Sequence, residues 1–292
     1  MDYDTSGLVD AADGSKLFYG VRGRGPDVVL IDGIGCDGWA WVYLQPHLAA
    51  RHRVLHWHYR GHGRSGTPTD AALATVPAHA ADLLRVMDAC RMERAVLIGH
   101  SMGTQVALEA YRAAPERVTA LILICGTYGR VTSTFHDSDV LERLLPHLSE
   151  LTTLHGPLVR ALWGRVPAKL AYLIGSWIGE IDGRSLHRDD FVDYVEHLAT
   201  MDPDVYFRML SLAGEHSAED LLPNIRVPTL VLAGELDTFT PCRLARRMAT
   251  EIPGAEYFEV IGGTHSTPAE RPTTVNERID LFMAALASQG SP

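Results

Sequence analysis

The most constraining feature of the sequence is a series of short apolar runs separated by helical segments. The later runs show no alternation of apolar and polar residues, which is typical of strands buried on both faces of a parallel sheet. In the first half of the chain these runs are 16–21, 28–32, 54–57, 95–99 and 120–125. Helices are predicted between them, at 80–90 and 102–113. Strands that alternate with helices predict an α/β fold.

The alternation stops between residues 127 and 224, where the pattern indicates a string of helices. Two strands and a closing amphipathic helix then follow, at 228–234, 256–261 and 275–287. We therefore predict one core made of residues 1–126 and 225–292, interrupted by a helical cap of residues 127–224.

Composition excludes several classes of protein. The 292 residues include 26 Lys plus Arg and 36 Asp plus Glu, a formal net charge of −10, and basic residues do not cluster. Nucleic acid is therefore not an expected partner. No apolar run approaches the roughly 18 residues of a membrane span, and the first residues are acidic where a signal peptide would be basic. The four cysteines are scattered along the chain, which favours reduced thiols over a disulfide framework or a zinc site. We expect a cytoplasmic protein without a membrane span.

The segment from Gly99 to Gly103 fits the pattern G-x-S-x-G and lies directly between an apolar strand and a helix. A serine in that place occupies a tight turn that requires small neighbours, and the turn holds its hydroxyl above the end of the strand. The free N–H groups of the following helix point to the same spot and can stabilise an oxyanion. The alternative is a glycine-flanked turn with Ser101 as a helix N-cap. The context favours Ser101 as a nucleophile.

A serine nucleophile needs a base, and the base needs an acid that orients it. Among the 14 histidines, His265 follows the last apolar strand, and Asp237 follows the strand before it. Taken alone, His265 could be a solvated loop residue and Asp237 a turn aspartate. Because parallel sheets collect their sites at the carboxyl ends of strands, we expect Ser101, Asp237 and His265 to meet there.

With these motifs the chain resembles the α/β-hydrolase superfamily over nearly its whole length. The motifs are the R-G-x-G-x-S loop at 60–65, the serine turn, a G-x-x-D-x-x-x-P run ending at Pro241, and His265 with Glu270 and Pro272 in H-x-x-x-x-E-x-P. The resemblance implies a mostly parallel eight-stranded sheet flanked by helices, a cap inserted after the sixth strand, and a Ser-His-Asp triad. It also implies an oxyanion hole formed by the backbone N–H groups of Ile34 and Met102. No cofactor or metal is expected.

Two departures from the family's motifs suggest a compensating pair. Many members have His-Gly where this chain has Asp32-Gly33, and an aspartate where it has His58. The third and fourth strands are neighbours in the family's sheet. We therefore hypothesise that Asp32 and His58 have exchanged roles and form a hydrogen bond behind the oxyanion loop. The alternative is two unrelated changes.

Two other kinds of site are disfavoured. His56, His58 and His62 have spacing that could suit a metal, but the neighbouring residues are arginines instead of further ligands. A dinucleotide site is disfavoured as well, because no complete G-x-G-x-x-G fingerprint opens a helix.

The predicted cap is rich in large apolar residues. Most of them are expected to form the cap's own core, and the remainder to line an apolar pocket above Ser101. They are Phe135, Leu154, Leu158, Leu162, Trp163, Leu170, Leu173, Ile174, Trp177 and Ile178.

These observations predict a serine hydrolase that cleaves an ester or lactone with a largely apolar acyl or ring portion through an acyl-enzyme. One alternative is a carbon–carbon bond hydrolase or another non-ester reaction on the same triad, since one fold can support several reactions. Another is a ligand receptor that keeps the fold without turnover. The expected partner is a small apolar ester or lactone, and a homo-oligomer is possible.

Overall fold

The sheet reflects the apolar runs of the sequence. A computed structural model describes residues 1–133, 138–165, 167–178 and 180–289. Within that part of the chain, one sheet has eight strands in the order β1-β2-β4-β3-β5-β6-β7-β8. Their bounds are Thr5–Asp10 (β1), Lys16–Arg22 (β2), Asp27–Ile31 (β3), Arg53–Trp57 (β4), Ala95–His100 (β5), Val118–Ile124 (β6), Thr229–Gly234 (β7) and Glu256–Val260 (β8).

The sheet is mostly parallel, as predicted. Only the pairs β1·β2 and β2·β4 are antiparallel, and the remaining strands of the sheet run parallel from β4 to β8. The strand missing from the apolar pattern is β1. It lies at the edge of the sheet and leaves most of its side chains exposed, so it lacks an apolar signature.

The described part of the chain contains ten α-helices, eight between strands and two after β8. Their bounds are Leu44–Ala49 (α1), Val76–Ala89 (α2), Met102–Ala113 (α3), Val140–Leu162 (α4), Ala168–Ile178 (α5), Arg188–Thr200 (α6), Pro203–Glu215 (α7), Cys242–Glu251 (α8), Thr267–Glu270 (α9) and Pro272–Gln289 (α10). No helix of the described residues combines the length and apolarity that crossing a bilayer requires.

The helices cover both faces of the sheet, which explains the continuous apolar runs. On β3, Val29 and Ile31 belong to a core with residues of α2, α3 and α8, whereas Val28 and Leu30 belong to a second core with α1 and α10. Successive side chains of a strand point to opposite faces, so a strand covered on both sides is apolar at every position.

Helices α4 to α7 lie between β6 and β7. Helix α4 packs mainly against α7, and α5 packs against α6. Helix α4 is kinked at His155, whose backbone angles are φ −125° and ψ 29°. These helices fall within residues 127–224, and their status as a separate cap remains a prediction.

The expected burial of the cap's apolar residues is largely wrong. Six of them expose between 46% and 66% of their surface to solvent, namely Leu154, Leu158, Leu162, Leu170, Leu173 and Ile174. Trp163 is partly buried, and its ring packs against those of Tyr206 and Phe207. Phe135 and the side chains of Trp177 and Ile178 lie outside the described residues. Helical spacing in a sequence identifies an apolar face but does not identify what covers it.

Candidate active site

Ser101 occupies a strained turn between β5 and α3. Its φ of 54° and ψ of −122° lie in a region of backbone conformation that residues other than glycine rarely adopt. The two motif glycines are required by close backbone contacts. A Cβ at Gly99 would lie 2.3 Å from the carbonyl oxygen of Gly103, and a Cβ at Gly103 would lie 2.2 Å from that of Ile31. The turn therefore depends on both glycines.

The structure brings Ser101, His265 and Asp237 into one hydrogen-bonded array. The Oγ of Ser101 lies 3.0 Å from Nε2 of His265, whose Nδ1 lies 3.0 Å and 3.1 Å from the two carboxylate oxygens of Asp237. A carboxylate only accepts, so Nδ1 carries the proton in the neutral ring, and Nε2 is free to accept from the hydroxyl. This is the geometry in which a histidine can take a proton from serine.

Asp237 is held rigidly behind the imidazole. Its side chain is fully buried, and it accepts hydrogen bonds from the backbone N–H groups of Phe239 and Thr240 and from the Thr240 hydroxyl. These bonds fix the position of the carboxylate beside His265. The ring of Phe239 packs against that of His265, with centroids 4.9 Å apart.

The loop that carries His265 is braced by Glu270. Its carboxylate accepts from the N–H and the hydroxyl of Thr264, and also from the backbone N–H of Asp182 between α5 and α6. His100 supports the same loop, because its Nε2 donates to the His265 carbonyl at 2.9 Å. Burial and the neighbouring imidazole of His265 lower the pKa of His100 to about 4, so it stays neutral.

Ile34 and Met102 both line the pocket that contains Ser101. Met102 is the first residue of α3, so its N–H has no partner within the helix. The loop that carries Ile34 approaches closely, because a Cβ at Gly33 would lie 3.0 Å from Cβ of Ser101.

Several buried groups hold that loop from behind. The Tyr59 hydroxyl donates to the carbonyl of Asp32 at 2.7 Å, and Nε2 of His62 accepts from the N–H of Gly35 at 3.0 Å. Burial lowers the pKa of His62 to about 4, which keeps it neutral and able to accept. The R-G-x-G-x-S segment thus supports the loop, with Arg60 held in an ion pair with Asp82.

The predicted pairing of Asp32 with His58 is wrong. Asp32 instead accepts from Nε2 of His56 at 2.8 Å, and Nδ1 of His56 accepts from the Tyr3 hydroxyl at 2.7 Å. After the end of β4, the backbone N–H of His58 donates to the carbonyl of Phe18 on β2. Nδ1 of the His58 ring accepts from the backbone N–H of Arg64. The neighbouring strand β4 does supply the imidazole that binds Asp32, but this imidazole belongs to His56 instead of His58.

A cavity of about 240 Å³ opens above Ser101 and is lined mainly by apolar and aromatic side chains. The core contributes Ile34, Trp39 and Phe239, helices α4, α6 and α7 contribute Leu141, Phe191, Tyr194, Tyr206 and Leu210, and the connection between α5 and α6 contributes Ile181. None of the exposed leucines predicted for this role lines it. Most of the lining from the inserted segment comes from α6 and α7. The apolar spacing of these two helices is no stronger than that of α4, so the sequence did not indicate which helices would line the cavity.

The cavity also contains a few polar groups. The hydroxyls of Tyr194 and Tyr206 have no hydrogen-bond partner among the described residues, and burial raises the pKa of Tyr206 to about 12. Both phenols therefore stay protonated and can donate to an acceptor in the cavity. Glu180 also lines it and accepts from the Thr238 hydroxyl.

The described residues contain no group of three or more metal-ligating side chains in a suitable arrangement. His56, His58 and His62 are instead engaged with Asp32, Arg64 and Gly35 respectively.

Comparison with known proteins identifies the family of the chain. The sequence model of the alpha/beta hydrolase family matches residues 28–278. The chain is 29% identical over 266 residues to a protein of Azorhizobium caulinodans named provisionally as carbamate hydrolase RutD, covering 91% of this chain and 94% of that one. It is 42% identical to a pimeloyl-[acyl-carrier protein] methyl ester esterase of Methylococcus capsulatus, but over only 111 residues, 38% of this chain and 41% of that one.

The fold matches a solved structure over nearly its full length. A thermophilic esterase of Thermogutta terrifontis superposes with a TM-score of 0.78, at 24% sequence identity, covering 97% of this chain and 99% of the other. At this identity the likeness concerns the fold.

Proposed function

Because the chain belongs to the alpha/beta hydrolase family, we propose that it is a serine hydrolase that cleaves esters or lactones through an acyl-enzyme. The observation that carries the proposal is the continuous array from Ser101 through His265 to Asp237, with the serine on a strained turn that faces an apolar cavity. A histidine with a purely structural role would have no reason to place its unprotonated nitrogen against a serine hydroxyl that faces a cavity.

In the proposed reaction, Oγ of Ser101 attacks the carbonyl carbon while Nε2 of His265 takes the hydroxyl proton. Asp237 holds the tautomer and stabilises the imidazolium. The negative charge develops on the carbonyl oxygen, where the N–H groups of Ile34 and Met102 would donate. Losing one such donor typically costs about 3 kcal/mol of transition-state stabilisation.

The tetrahedral intermediate then collapses. The bond from the carbonyl carbon to the leaving oxygen breaks, and His265 returns its proton to that oxygen. Water next attacks the acyl-enzyme, with His265 again as the base, and releases the acid and the free Ser101 hydroxyl. With a lactone, the leaving oxygen remains attached to the acyl chain, and the product is a hydroxy acid.

The lining of the cavity supports a substrate with an apolar acyl or ring portion. Leu141, Phe191 and Leu210 offer apolar contact along its wall. The phenols of Tyr194 and Tyr206 are available to a second acceptor on the substrate.

Carbamate hydrolysis is a second candidate, favoured by the similarity to the Azorhizobium protein over most of both chains. It would use the same residues, with a carbamoyl group in place of the acyl group on Ser101.

The test is a panel of p-nitrophenyl esters of graded acyl length, run beside a lactone series and a carbamate series. We expect an ester or lactone to give the highest kcat/KM, and Ser101→Ala to lose both turnover and labelling by a fluorophosphonate. Ser288→Ala, an exposed serine on α10, is the matched control and should retain both. Full activity in Ser101→Ala would refute the proposal, and a preference for carbamates would favour the second candidate.

A further inference from the structure

Two phenols of the substrate cavity are left without a partner in the part of the chain that the structure describes. Tyr194 on α6 and Tyr206 on α7 both line the cavity, and neither hydroxyl makes a hydrogen bond there. Protein atoms seal off several other unpaired polar atoms, but not these two hydroxyls. Burial is the main cause of the raised pKa of both phenols. The open space that the hydroxyls border is therefore the cavity instead of bulk solvent.

The two phenols lie beside the loop that follows β3. A Cβ at Gly35 would lie 3.2 Å from a ring carbon of Tyr206. The ring of Tyr194 packs against that of Trp39, with centroids 4.9 Å apart. After burial, Cys36 of the same loop contributes to the raised pKa of each phenol, and Tyr206 contributes to that of Tyr194. Both phenols thus belong to one part of the cavity wall.

A different part of the wall surrounds His265. The ring of Phe239 packs against it, and the neighbouring Thr238 hydroxyl donates to Glu180. In the proposed reaction His265 returns a proton to the leaving oxygen, so the leaving group lies on this side. The acyl portion then extends away from His265, towards the part of the wall that the phenols occupy.

A plain acyl chain would leave both phenols unpaired. A hydroxyl that loses water and gains no hydrogen bond costs free energy, so a site with such groups discriminates against ligands that cannot pair with them. We propose that Tyr194 and Tyr206 select esters whose acyl portion carries a second carbonyl group, the oxygen of which accepts from both hydroxyls. This inference rests on the proposed function, because it takes ester cleavage as its starting point.

The chemistry of the cavity favours a neutral carbonyl over other polar groups. The described residues that line it include no Lys or Arg, and Glu180 adds an acidic side chain. A carboxylate on the acyl chain would therefore be buried without a counter-charge. A hydroxyl on the chain would bring a proton of its own that needs an acceptor, whereas a carbonyl oxygen only accepts and has two lone pairs.

A matched series of esters tests the selection. Ethyl hexanoate is compared with its 3-oxo, 4-oxo and 5-oxo derivatives, each of which replaces one CH2 by a carbonyl at a different distance from the scissile bond. Each kcat/KM is divided by the rate constant for hydrolysis by hydroxide, which removes the intrinsic effect of the ketone. We expect at least one oxo ester to exceed ethyl hexanoate by about 10-fold.

Tyr194→Phe and Tyr206→Phe each remove one donor and keep the ring. The preference for the oxo ester should fall in each single variant and disappear in the double variant. Because the preference is a ratio measured within one protein sample, a loss of folded protein does not change it. The matched control is Tyr43→Phe, which removes a phenol that donates to Asp190 on α6 and is not part of the cavity lining. It should keep the wild-type preference.

Two results of this series would overturn the selection. One is a wild type without preference for any oxo ester, or a preference that survives in the double variant. The other is an equal fall in kcat for all four esters in the tyrosine variants, which would make the phenols donors to the oxyanion instead.

Binding gives a readout that does not depend on turnover. Ser101→Ala cannot form the acyl-enzyme, and calorimetry should show that it binds one of the oxo esters about 10-fold more tightly than ethyl hexanoate. Adding Tyr194→Phe and Tyr206→Phe should abolish the difference. If the wild type cleaves no ester but this difference remains, the proposed function fails and the phenol site stands. If it cleaves no ester and the affinities are equal, both fail.

Discussion

Two arrays of hydroxyl, imidazole and carboxylate are found among the residues that the structure describes. In one, Ser101 contacts His265, which contacts Asp237. In the other, Tyr3 contacts His56, which contacts Asp32, at 2.7 Å and 2.8 Å. The proton arrangement is the same in both, since each imidazole donates to a carboxylate and accepts from a hydroxyl.

The two arrays differ in their surroundings. Ser101 lies on a strained turn beside a cavity, and the His265 side chain is 18% exposed. His56 and Asp32 are at most 1% exposed. Burial and the charge of Asp32 raise the pKa of Tyr3 well above its usual value. The second array thus fixes Asp32 at the base of the loop that carries Ile34. Access to a cavity and backbone geometry, rather than the three side chains alone, distinguish a candidate catalytic array from a structural one.

The largest expected effect is on the accessible array. His265→Ala removes the base, and kcat should fall by roughly a million-fold. Stability should change little, because the ring is partly exposed. Ester hydrolysis and urea unfolding measure the two effects. The control is His47→Ala, a half-exposed histidine on α1 that should leave kcat unchanged. A fall of less than 100-fold in His265→Ala would contradict its assigned role.

Asp237→Asn should reduce kcat by about 10,000-fold, because the amide can impose the wrong tautomer on His265. The protein should remain folded, since the side chain keeps its shape. The measurement is kcat for a short p-nitrophenyl ester. Near wild-type turnover would mean that Asp237 has only the structural role assigned to Asp32.

Asp32→Ala should act mainly on stability. It leaves the buried Nε2–H of His56 without an acceptor, and we expect a loss of about 3 kcal/mol in the free energy of unfolding. Displacement of the loop should lower kcat/KM about 10-fold, with fluorophosphonate labelling of Ser101 retained. Asp10→Ala, which breaks an exposed pair with Lys16, should cost less than about 1 kcal/mol. Complete loss of labelling in a folded Asp32→Ala would make the second array catalytic.

Acidic pH should destabilise the folded chain through its buried histidines. Burial lowers the pKa of His58 to about 2, of His79 to about 3, and of His62 and His100 to about 4. Unfolded histidines bind a proton near pH 6.5, so the unfolded chain binds more protons below that pH. The free energy of unfolding should therefore fall as pH drops from 6.5 towards 4, by about 1.4 kcal/mol per pH unit for each histidine.

Urea unfolding between pH 7.5 and 4.5 measures this slope. His79→Leu should reduce it by about one histidine's share, because His79 is buried and neutral in the folded chain. Stability that stays constant down to pH 4.5 would contradict the neutral state of all four rings.

The sequence predicted features that depend on chain order and failed on those that depend on side-chain direction. The parallel sheet and the position of Ser101, Asp237 and His265 beyond strand ends follow from local pattern and one topological rule. The partner of Asp32 does not follow from these rules. His56 and His58 are two residues apart, so the alternation of a strand points both side chains to the same face. The backbone conformation after Trp57 determines which of the two reaches Asp32. The exposure of Leu154 and Leu158 likewise depends on what covers α4.

The smallest effect is expected at the other end of the buried array. Tyr3→Phe removes one hydroxyl and keeps the ring, which packs edge-on against Phe18 with centroids 5.6 Å apart. The lost hydrogen bond should cost about 1 kcal/mol of stability, and kcat/KM should change less than about threefold, since Asp32 keeps its bond to His56. Urea unfolding and ester kinetics measure both, with Tyr19→Phe in β2 as the matched control. A loss of activity as large as that of Ser101→Ala would show that the Tyr3 hydroxyl takes part in the chemistry. In that case burial would no longer distinguish the two arrays.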